Sequence, residues 1–416
     1  MKAWREIAAL PVATRPLFAA TLVTRLGTFV LPYLAIYLTE ERGLGVARTG
    51  AILGIGSLGL LFGNAISGWL LDRWSRRGTL ATALLVNAVG YAGLAVSFDQ
   101  PALYTFALLV GLTGVGMVKP AAQTLLADVT APEERTLAYT VHYLCVNVGM
   151  AAGPLLGGSI ALAAGSATAL FLGDVLTTLV GLALVLRFVP AVPLPSRARA
   201  ESDDRTGDRT DERSGVDRRR LTLAFGFALS GFFFAAPLMG LEFAVPLLVR
   251  QVLEGPALWV GVVYAVNGVT ILVLGVPLGR YARGRDEIGV LQIAGAFWLA
   301  GLALFTWRLT PATLLIGTAI WTIGEVLASV SLPSWLSREA PVEWRGRVLA
   351  VQDVTVSVAR IASPVGLGWV WAMAGPDTVL RSLLALPIAA VIGYGAVRAL
   401  GSGTTQRGAA ARRAVA

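Results

Sequence analysis

The chain alternates long apolar runs with short polar segments along all of its 416 residues. Each run is about 20 residues long, which is the length that lets an α-helix cross the hydrocarbon core of a bilayer. The pattern predicts an all-α membrane protein with twelve transmembrane helices. The predicted helices cover residues 17–38, 48–71, 79–98, 102–127, 136–161, 166–189, 221–250, 257–280, 288–308, 311–337, 347–373 and 377–399.

The apolar pattern stops once in the middle of the chain, between the sixth and seventh predicted helices. Residues 190–220 are rich in Pro, Ser, Arg, Asp and Glu. Such a segment buries too little apolar surface to fold alone, so we expect a solvated linker. The predicted domains are a six-helix bundle over 1–189, the linker over 190–220, a second six-helix bundle over 221–399 and a tail over 400–416.

Composition agrees with a membrane protein. Hydrophobic residues make up 56% of the chain and charged residues 14%, whereas a soluble domain has about 25% charged residues. The mean hydropathy is +0.70. The 47 glycines suit helices that pack closely in lipid.

The net charge of +9 comes almost entirely from arginines in short loops and in the linker. That placement indicates topology and not nucleic-acid binding, and it predicts that the linker and both termini are cytoplasmic. An even number of helices is then required. The N-terminal segment is expected to lead into an uncleaved first helix. A single cysteine, Cys145, argues against disulfides and Cys-based metal clusters, and we expect no cofactor and no metal.

The two predicted bundles resemble each other at an offset of about 210 residues. Gly153-Pro154 corresponds to Ser363-Pro364, and Gly158 corresponds to Gly368. The loop after the eighth predicted helix, residues 275–285, is a degraded copy of residues 68–78. Several matches in register indicate an internal duplication, and hence two pseudo-symmetric halves.

The loop between the second and third predicted helices combines glycines, an acid and three arginines. A glycine allows close helix approach, and a carboxylate at a helix end accepts hydrogen bonds from arginines or from another helix N-terminus. We expect a charged lock that holds one conformation; the alternative is a basic loop that only sets topology. The residues of this predicted gating loop are Gly68, Asp72, Arg73, Arg76, Arg77 and Gly78.

The fifth predicted helix is rich in glycine around one proline. Small residues at this spacing allow tight helix contact, and a proline bends a helix. A hinge and seal is one interpretation, and ordinary glycine packing is the other. The residues are Gly149, Gly153, Pro154, Gly157 and Gly158.

Ionisable residues inside predicted spans are costly and usually mark a pathway. Glu325 and Glu242 are the candidate proton carriers, because a poorly hydrated cavity disfavours the charged carboxylate. The alternative is structural pairing, for which the candidates are Arg25, Asp174, Asp353 and Arg360.

Aromatic and amide side chains in several spans suit an amphipathic or aromatic solute. Many of them could equally pack between helices or face lipid. The candidate cavity residues are Phe29, Tyr33, Tyr37, Asn147, Tyr264, Asn267, Trp298 and Trp321.

The loop of residues 68–78, the glycines of the fifth helix and the first-helix stretch 25–38 together resemble the major facilitator superfamily, in particular bacterial multidrug-type exporters. The resemblance covers nearly the whole chain except the linker and tail. It implies that Asp72 and Arg73 are gating residues and that the solute site lies between two halves. Drug exporters of this family often carry an arginine in the fourth helix; here Lys119 is the only cation in that span, which leaves that proton relay in doubt.

The resemblance implies a secondary transporter, not an enzyme, in the inner membrane of a bacterium. The expected function is proton-coupled export of small amphipathic or drug-like molecules. An uptake symporter for a small organic solute and a non-transporting receptor remain as alternatives. No phosphate-binding loop is present, so ATP is not the expected energy source. The expected partners are a small-molecule substrate, protons and the lipid bilayer, with no nucleic acid, and the protein is expected to be a monomer.

Overall fold

The structure is a computed structural model that describes residues 10–28, 30–96, 100–166, 168–190, 218–341 and 344–415. Side chains of 218–220 and 396–415 are outside this description. The described residues are helical and contain no strand. Most of the predicted linker, residues 191–217, and the predicted cavity residue Phe29 lie outside the described residues.

Eleven helices are long and apolar enough to cross a membrane. They are α1 Thr14–Glu41, α2 Val46–Arg73, α3 Arg76–Ala95, α4 Pro101–Asp128, α5 Arg135–Ala164, α6 Thr168–Phe188, α7 Leu221–Val252, α8 Leu258–Ala282, α9 Glu287–Trp307, α10 Pro311–Glu339 and α11 Arg345–Gly395. The helical backbone of α7 begins at Arg218, and that of α11 continues to Val415.

The eleventh helix covers both of the last two predicted spans, and it is broken where the prediction separates them. Gly375 has a φ of 79° and a ψ of 175°, which no helix contains, and Pro376 follows it. We call residues 345–374 the first arm of α11 and residues 376–395 its second arm. The two predicted spans, 347–373 and 377–399, therefore correspond to two helical arms that meet at Gly375.

The two arms run in opposite directions along α7. Leu367 of the first arm and Leu383 of the second both approach the position that a Cβ on Gly240 would occupy, each at 2.7 Å. An unbroken helix would separate these two leucines by about 24 Å. Further along the second arm, Tyr394 contacts Ser230, at the start of α7. The chain thus turns back on itself at Gly375.

The chain divides into two compact units, one formed by Met1–Val216 with Pro256–Gly261 and the other by Asp217–Gly255 with Val262–Ala416. In the first unit α4 packs against α2 and α3, while α6 packs against α1 and α3, and α5 packs against α1. In the second unit α9 packs against α10 and α11, and α7 packs against α11. The predicted domain boundaries stay a prediction.

Glycines explain the closest contacts of the first unit. A Cβ on Gly63 of α2 would lie 2.9 Å from Cα of Gly116 in α4, and a Cβ on Gly90 of α3 would lie 2.7 Å from the carbonyl oxygen of Ala107. The backbones of these helices can approach only because no side chain separates them.

Candidate functional site

A polar cluster lies between α8 and α10, in the middle of otherwise apolar helices. Asn267 Nδ2 of α8 donates to Glu325 Oε2 of α10 at 2.8 Å and to Thr322 Oγ1 at 2.9 Å. The Thr322 hydroxyl in turn donates to the carbonyl oxygen of Thr318, at 2.6 Å. Glu325 is partly buried and forms no ion pair with any described residue. Its hydrogen-bond partners are therefore neutral.

The second candidate proton carrier has a different environment. Glu242 Oε2 of α7 accepts a hydrogen bond from Arg360 Nη1 in the first arm of α11, at 2.8 Å, and the two groups form an ion pair. Both side chains are about one-third exposed or less. Glu242 therefore has a cationic partner, whereas Glu325 has none among the described residues. Asp353, another candidate for buried charge pairing, is exposed.

The first unit contains a buried acid on α6. Asp174 is 3% exposed, and its Oδ1 lies 3.2 Å from Thr178 Oγ1. Thr178 Oγ1 also lies 3.0 Å from Asn87 Oδ1 of α3. Asn87 Nδ2 donates to the carbonyl oxygen of Gly111 in α4, at 3.2 Å. This chain of bonds joins three helices.

The Thr178 hydroxyl has two acceptors within reach, Asp174 Oδ1 and Asn87 Oδ1. Because it has a single hydrogen, it donates to one of them at a time. Thr178 therefore links the Asp174 carboxyl of α6 to the Asn87 amide of α3.

Arg25 of α1 lies near Asp174 without forming an ion pair with any described residue. Its backbone fits against the glycines of α5: a Cβ on Gly153 would lie 2.9 Å from the carbonyl oxygen of Arg25. The direct Arg25–acid pair considered from sequence is thus not formed, and the two groups interact only at longer range.

The loop between α2 and α3 binds other helices of the first unit. Arg76 forms an ion pair with Asp128, the last residue of α4. Arg77 donates to the carbonyl oxygens of Leu186 at 2.8 Å and Val189 at 3.0 Å, at the C-terminus of α6. Cations at a helix C-terminus are favourable. These two arginines hold the loop to α4 and α6.

The remaining residues of this loop have other surroundings. Asp72 is exposed, and no described residue pairs with it. The Arg73 guanidinium stacks on the Trp69 ring at 4.9 Å. Ser75 caps α3 by accepting from the Gly78 backbone N–H at 2.9 Å, and a Cβ on Gly68 would meet no atom within 4 Å. The lock function of Asp72 stays a prediction.

The glycine-rich part of α5 faces α1 of the same unit. Gly149, Gly153, Pro154, Gly157 and Gly158 are all buried. Tyr33 of α1 donates its hydroxyl to the carbonyl oxygen of Pro154 at 2.6 Å. Gly149 and Gly153 thus permit close packing within one unit, and the hinge role of this helix stays a prediction.

The predicted cavity residues occupy several different environments. Tyr37 is buried, with its ring edge-on to Phe171 at 4.8 Å. Trp298 and Trp321 stack on each other at 4.7 Å, with exposed fractions of 1% and 5%. These rings, like the Tyr33 ring, lie in helix packing. Asn147, Tyr264 and Asn267 are half-buried, and Asn267 is the one that the structure joins to Glu325. Lys119 is exposed on α4.

Several polar partners of the acids were not predicted, although the sequence contains a signal for them. Thr322 lies three residues before Glu325, and Thr178 lies four residues after Asp174. Residues three or four apart share a helix face, so a polar residue at that spacing from a buried acid indicates a partner. Asn87 and Asp128 come from other helices, and no local spacing indicates them.

A multi-helix membrane fold with acids inside its spans is typical of secondary transporters, among other membrane proteins. The Major Facilitator Superfamily profile matches residues 17–364, and the chain belongs to that family of transporters. A Na⁺, Li⁺, K⁺/H⁺ antiporter of Planococcus maritimus is 24% identical over 390 residues, covering 86% of this chain and 91% of the relative. The multidrug resistance protein MdtH of Klebsiella pneumoniae is 23% identical over 363 residues, covering 83% of each chain.

A crystal structure of the nucleoside transporter NupG has the same fold. It superimposes with a TM-score of 0.75 at 13% identity, covering 92% of this chain and 98% of that one. This similarity concerns the fold alone. The relatives are bacterial and the chain is a multi-pass membrane transporter.

Proposed function

We propose that the protein is a proton-coupled antiporter that exports small amphipathic molecules by alternating access. The observation that carries the proposal is the position of Glu325: a carboxylate in the middle of a membrane-spanning helix, hydrogen-bonded to Asn267 and without a cation. A carboxylate in such a place binds and releases a proton more readily than one held by arginine. Glu242 is held by Arg360, so Glu325 is the proton carrier.

The proposal includes a topology of twelve spans, with the two arms of α11 as the eleventh and twelfth. Support comes from the opposite directions of the two arms along α7. An even number of spans puts both termini in the cytoplasm, in agreement with the basic loops. The protein acts as a monomer in the bacterial inner membrane, and Asp72 with Arg73 gates the transition.

Two cargo classes are compatible with this mechanism. The glycine-rich α5 and the similarity to MdtH favour an amphipathic drug-like cargo. The similarity to a Na⁺, Li⁺, K⁺/H⁺ antiporter favours a monovalent cation, which the oxygens of Glu325, Asn267 and Thr322 could bind in place of the proton. Uptake of an organic solute in symport with protons is the third possibility.

Proteoliposomes that contain a pH dye and have an acidic interior separate these possibilities. Addition of ethidium, of NaCl or KCl, or of an aromatic acid is compared in separate arms. Antiport raises the internal pH only in the arm with the correct cargo, while symport lowers it further. Cargo counterflow without any pH change would contradict proton coupling.

The Glu325→Gln variant tests the assignment of the carrier. We expect loss of transport driven by the pH gradient together with retained cargo counterflow, because the neutral amide keeps the shape but cannot exchange a proton. Glu133→Gln is the control, since Glu133 is an exposed carboxylate in the loop before α5. Full gradient-driven transport by Glu325→Gln would remove Glu325 as the carrier.

A further inference from the structure

The two units differ in how their second and fourth helices meet. The backbones of α2 and α4 pack closely through Gly59, Gly63 and Gly116, while α8 and α10 have no comparable backbone contact over their lengths. Gly59 and Gly63 precede Gly68 by nine and five residues, and Val266 and Thr270 precede Gly275 by the same distances. The second unit thus carries larger side chains where the first unit has glycines.

A cavity of about 680 Å³ lies where α8 and α10 separate, beside the start of α9. Its walls combine apolar and polar side chains of the second unit. The residues that define it are Val276, Arg280, Arg283, Val330, Ser331 and Ser334. We call it the α8–α10 groove. Val276 and Val330 are 63% and 42% exposed, so the apolar wall is open to the surroundings.

At the polar end of the groove, several side-chain hydrogen-bond donors have no acceptor among the described residues. Ser331 is 2% exposed, and its Oγ has no hydrogen-bond partner among the described residues. The side chains of Arg280 and Arg283 make no hydrogen bond or ion pair with described residues. Glu287 also lines the groove, but Arg338 Nη1 holds both of its carboxylate oxygens, at 2.6 and 2.8 Å. Two guanidinium groups without an acceptor among the described residues make this end suited to an anion.

We propose that the α8–α10 groove binds the headgroup phosphate of an anionic phospholipid. Arg280 and Arg283 bind the phosphate oxygens, and an acyl chain lies along Val276 and Val330. Arginine pairs well with phosphate because its planar donors match the oxygen spacing. The groove lies at the end of two membrane-spanning helices, at the depth where lipid headgroups are found.

The open apolar wall distinguishes a lipid from a soluble phosphate compound. A soluble phosphate gains nothing from exposed valines, whereas an acyl chain covers them at about 25 cal/mol per Å² of buried apolar surface. The site is separate from Glu325 and Asn267, so it does not depend on the proposed transport mechanism.

Native mass spectrometry of the purified full-length protein tests the proposal, with phosphatidylglycerol and phosphatidylcholine added in separate arms. We expect wild-type protein to retain one phosphatidylglycerol more tightly than phosphatidylcholine. The Arg280→Gln/Arg283→Gln variant should lose roughly fivefold in apparent affinity per arginine, from about 1 kcal/mol for each cation near an anionic lipid. Arg308→Gln is the matched control, because Arg308 is an exposed arginine that follows α9 at its other end.

A second variant fills the groove and leaves both arginines in place. A Cβ on Gly279 would meet no atom within 4 Å, and Gly279 lines the groove, so Gly279→Leu should fold and displace the headgroup. If Gly279→Leu retains phosphatidylglycerol as wild type does, the arginines attract lipid only as diffuse charge and the groove is not a site. If inorganic phosphate at millimolar concentration competes fully with the lipid, the groove binds a soluble anion and the lipid proposal is wrong.

Discussion

Arg76 and Asp128 form an ion pair that joins the first residue of α3 to the last residue of α4. The second unit has a pair at the corresponding helix ends with the charges exchanged: Glu287 begins α9, and Arg338 lies one residue before the end of α10. The same mechanical connection is therefore made twice with opposite polarity. The exchange is possible because an ion pair depends on the opposite signs of its partners and not on which helix carries which charge.

The two pairs should differ in their contribution to stability. Arg76 and Asp128 are 20% and 16% exposed, whereas Arg338 is 57% exposed. We expect Arg76→Glu to lower the free energy of unfolding by about 1–3 kcal/mol, since it leaves a poorly solvated charge without a partner. Arg338→Glu should cost less, about 1 kcal/mol or below. Thermal unfolding in detergent measures both.

The double exchange Arg76→Glu/Asp128→Arg provides the control for that prediction. It should restore most of the stability lost in Arg76→Glu, because the second unit already contains the reversed polarity. A double variant as unstable as the single one would show that the pair acts through something other than its charges.

Asn267 should set the pH at which transport is half-maximal. Its amide donates to Glu325 Oε2, and a donor favours the charged carboxylate. Removal of the donor in Asn267→Leu favours the protonated acid, so proton release requires a more alkaline solution. We expect the midpoint of the transport–pH profile in proteoliposomes to move upward. Gln251→Leu, which removes an exposed amide at the end of α7, should leave the midpoint unchanged.

Asp174 should tolerate an amide better than an apolar residue. The Thr178 hydroxyl donates to the Asp174 carboxyl, and an amide at position 174 keeps an oxygen that can accept this bond. Asp174→Asn should therefore lie within about 0.5 kcal/mol of wild-type stability, while Asp174→Leu should cost about 1–3 kcal/mol because it leaves buried polar groups unpaired. Thermal unfolding of both variants is the measurement. Equal destabilisation would mean that the polar contact at position 174 contributes nothing measurable to stability.

Gly153 should not accept a larger residue. A Cβ there would lie 2.9 Å from the carbonyl oxygen of Arg25 and 3.0 Å from that of Leu26. Gly153→Val should destabilise the first unit by about 1–3 kcal/mol, as overpacking does. Gly366, where a Cβ would meet no atom within 4 Å, is the control position for the same substitution. Similar unfolding temperatures for the two variants would contradict the close α1–α5 contact.

The turn at Gly375 predicts on which side of the membrane the ends of the arms lie. A membrane-impermeant maleimide added to intact cells should label a cysteine at Asp377 but not one at Gly346, in a Cys145→Ser background that has no other thiol. Permeabilised cells should show labelling of both. Labelling of both positions in intact cells would contradict two antiparallel spans.

The order of apolar runs was enough to predict the helical class and the interruption near residue 375, because the length and composition of a span are local properties of the chain. The acids inside the spans could also be found, since a charge among apolar residues is visible without any structure. The loop of residues 68–78 identified the family for the same reason, as its spacing is local.

Only the tertiary structure decided which residues pair with the acids in the spans and with the loop arginines. Glu325 and Glu242 look alike in sequence, but only the folded chain brings Arg360 to one and Asn267 to the other, across 118 and 58 residues. In the sequence Arg76 and Arg77 are only charges in a loop. The fold brings the ends of α4 and α6 beside them. The sequence predicted that Trp298 and Trp321 line a cavity, whereas in the structure their rings stack on each other between α9 and α10. Spacing along a helix determines which face a residue occupies, but only packing between helices determines what that face meets.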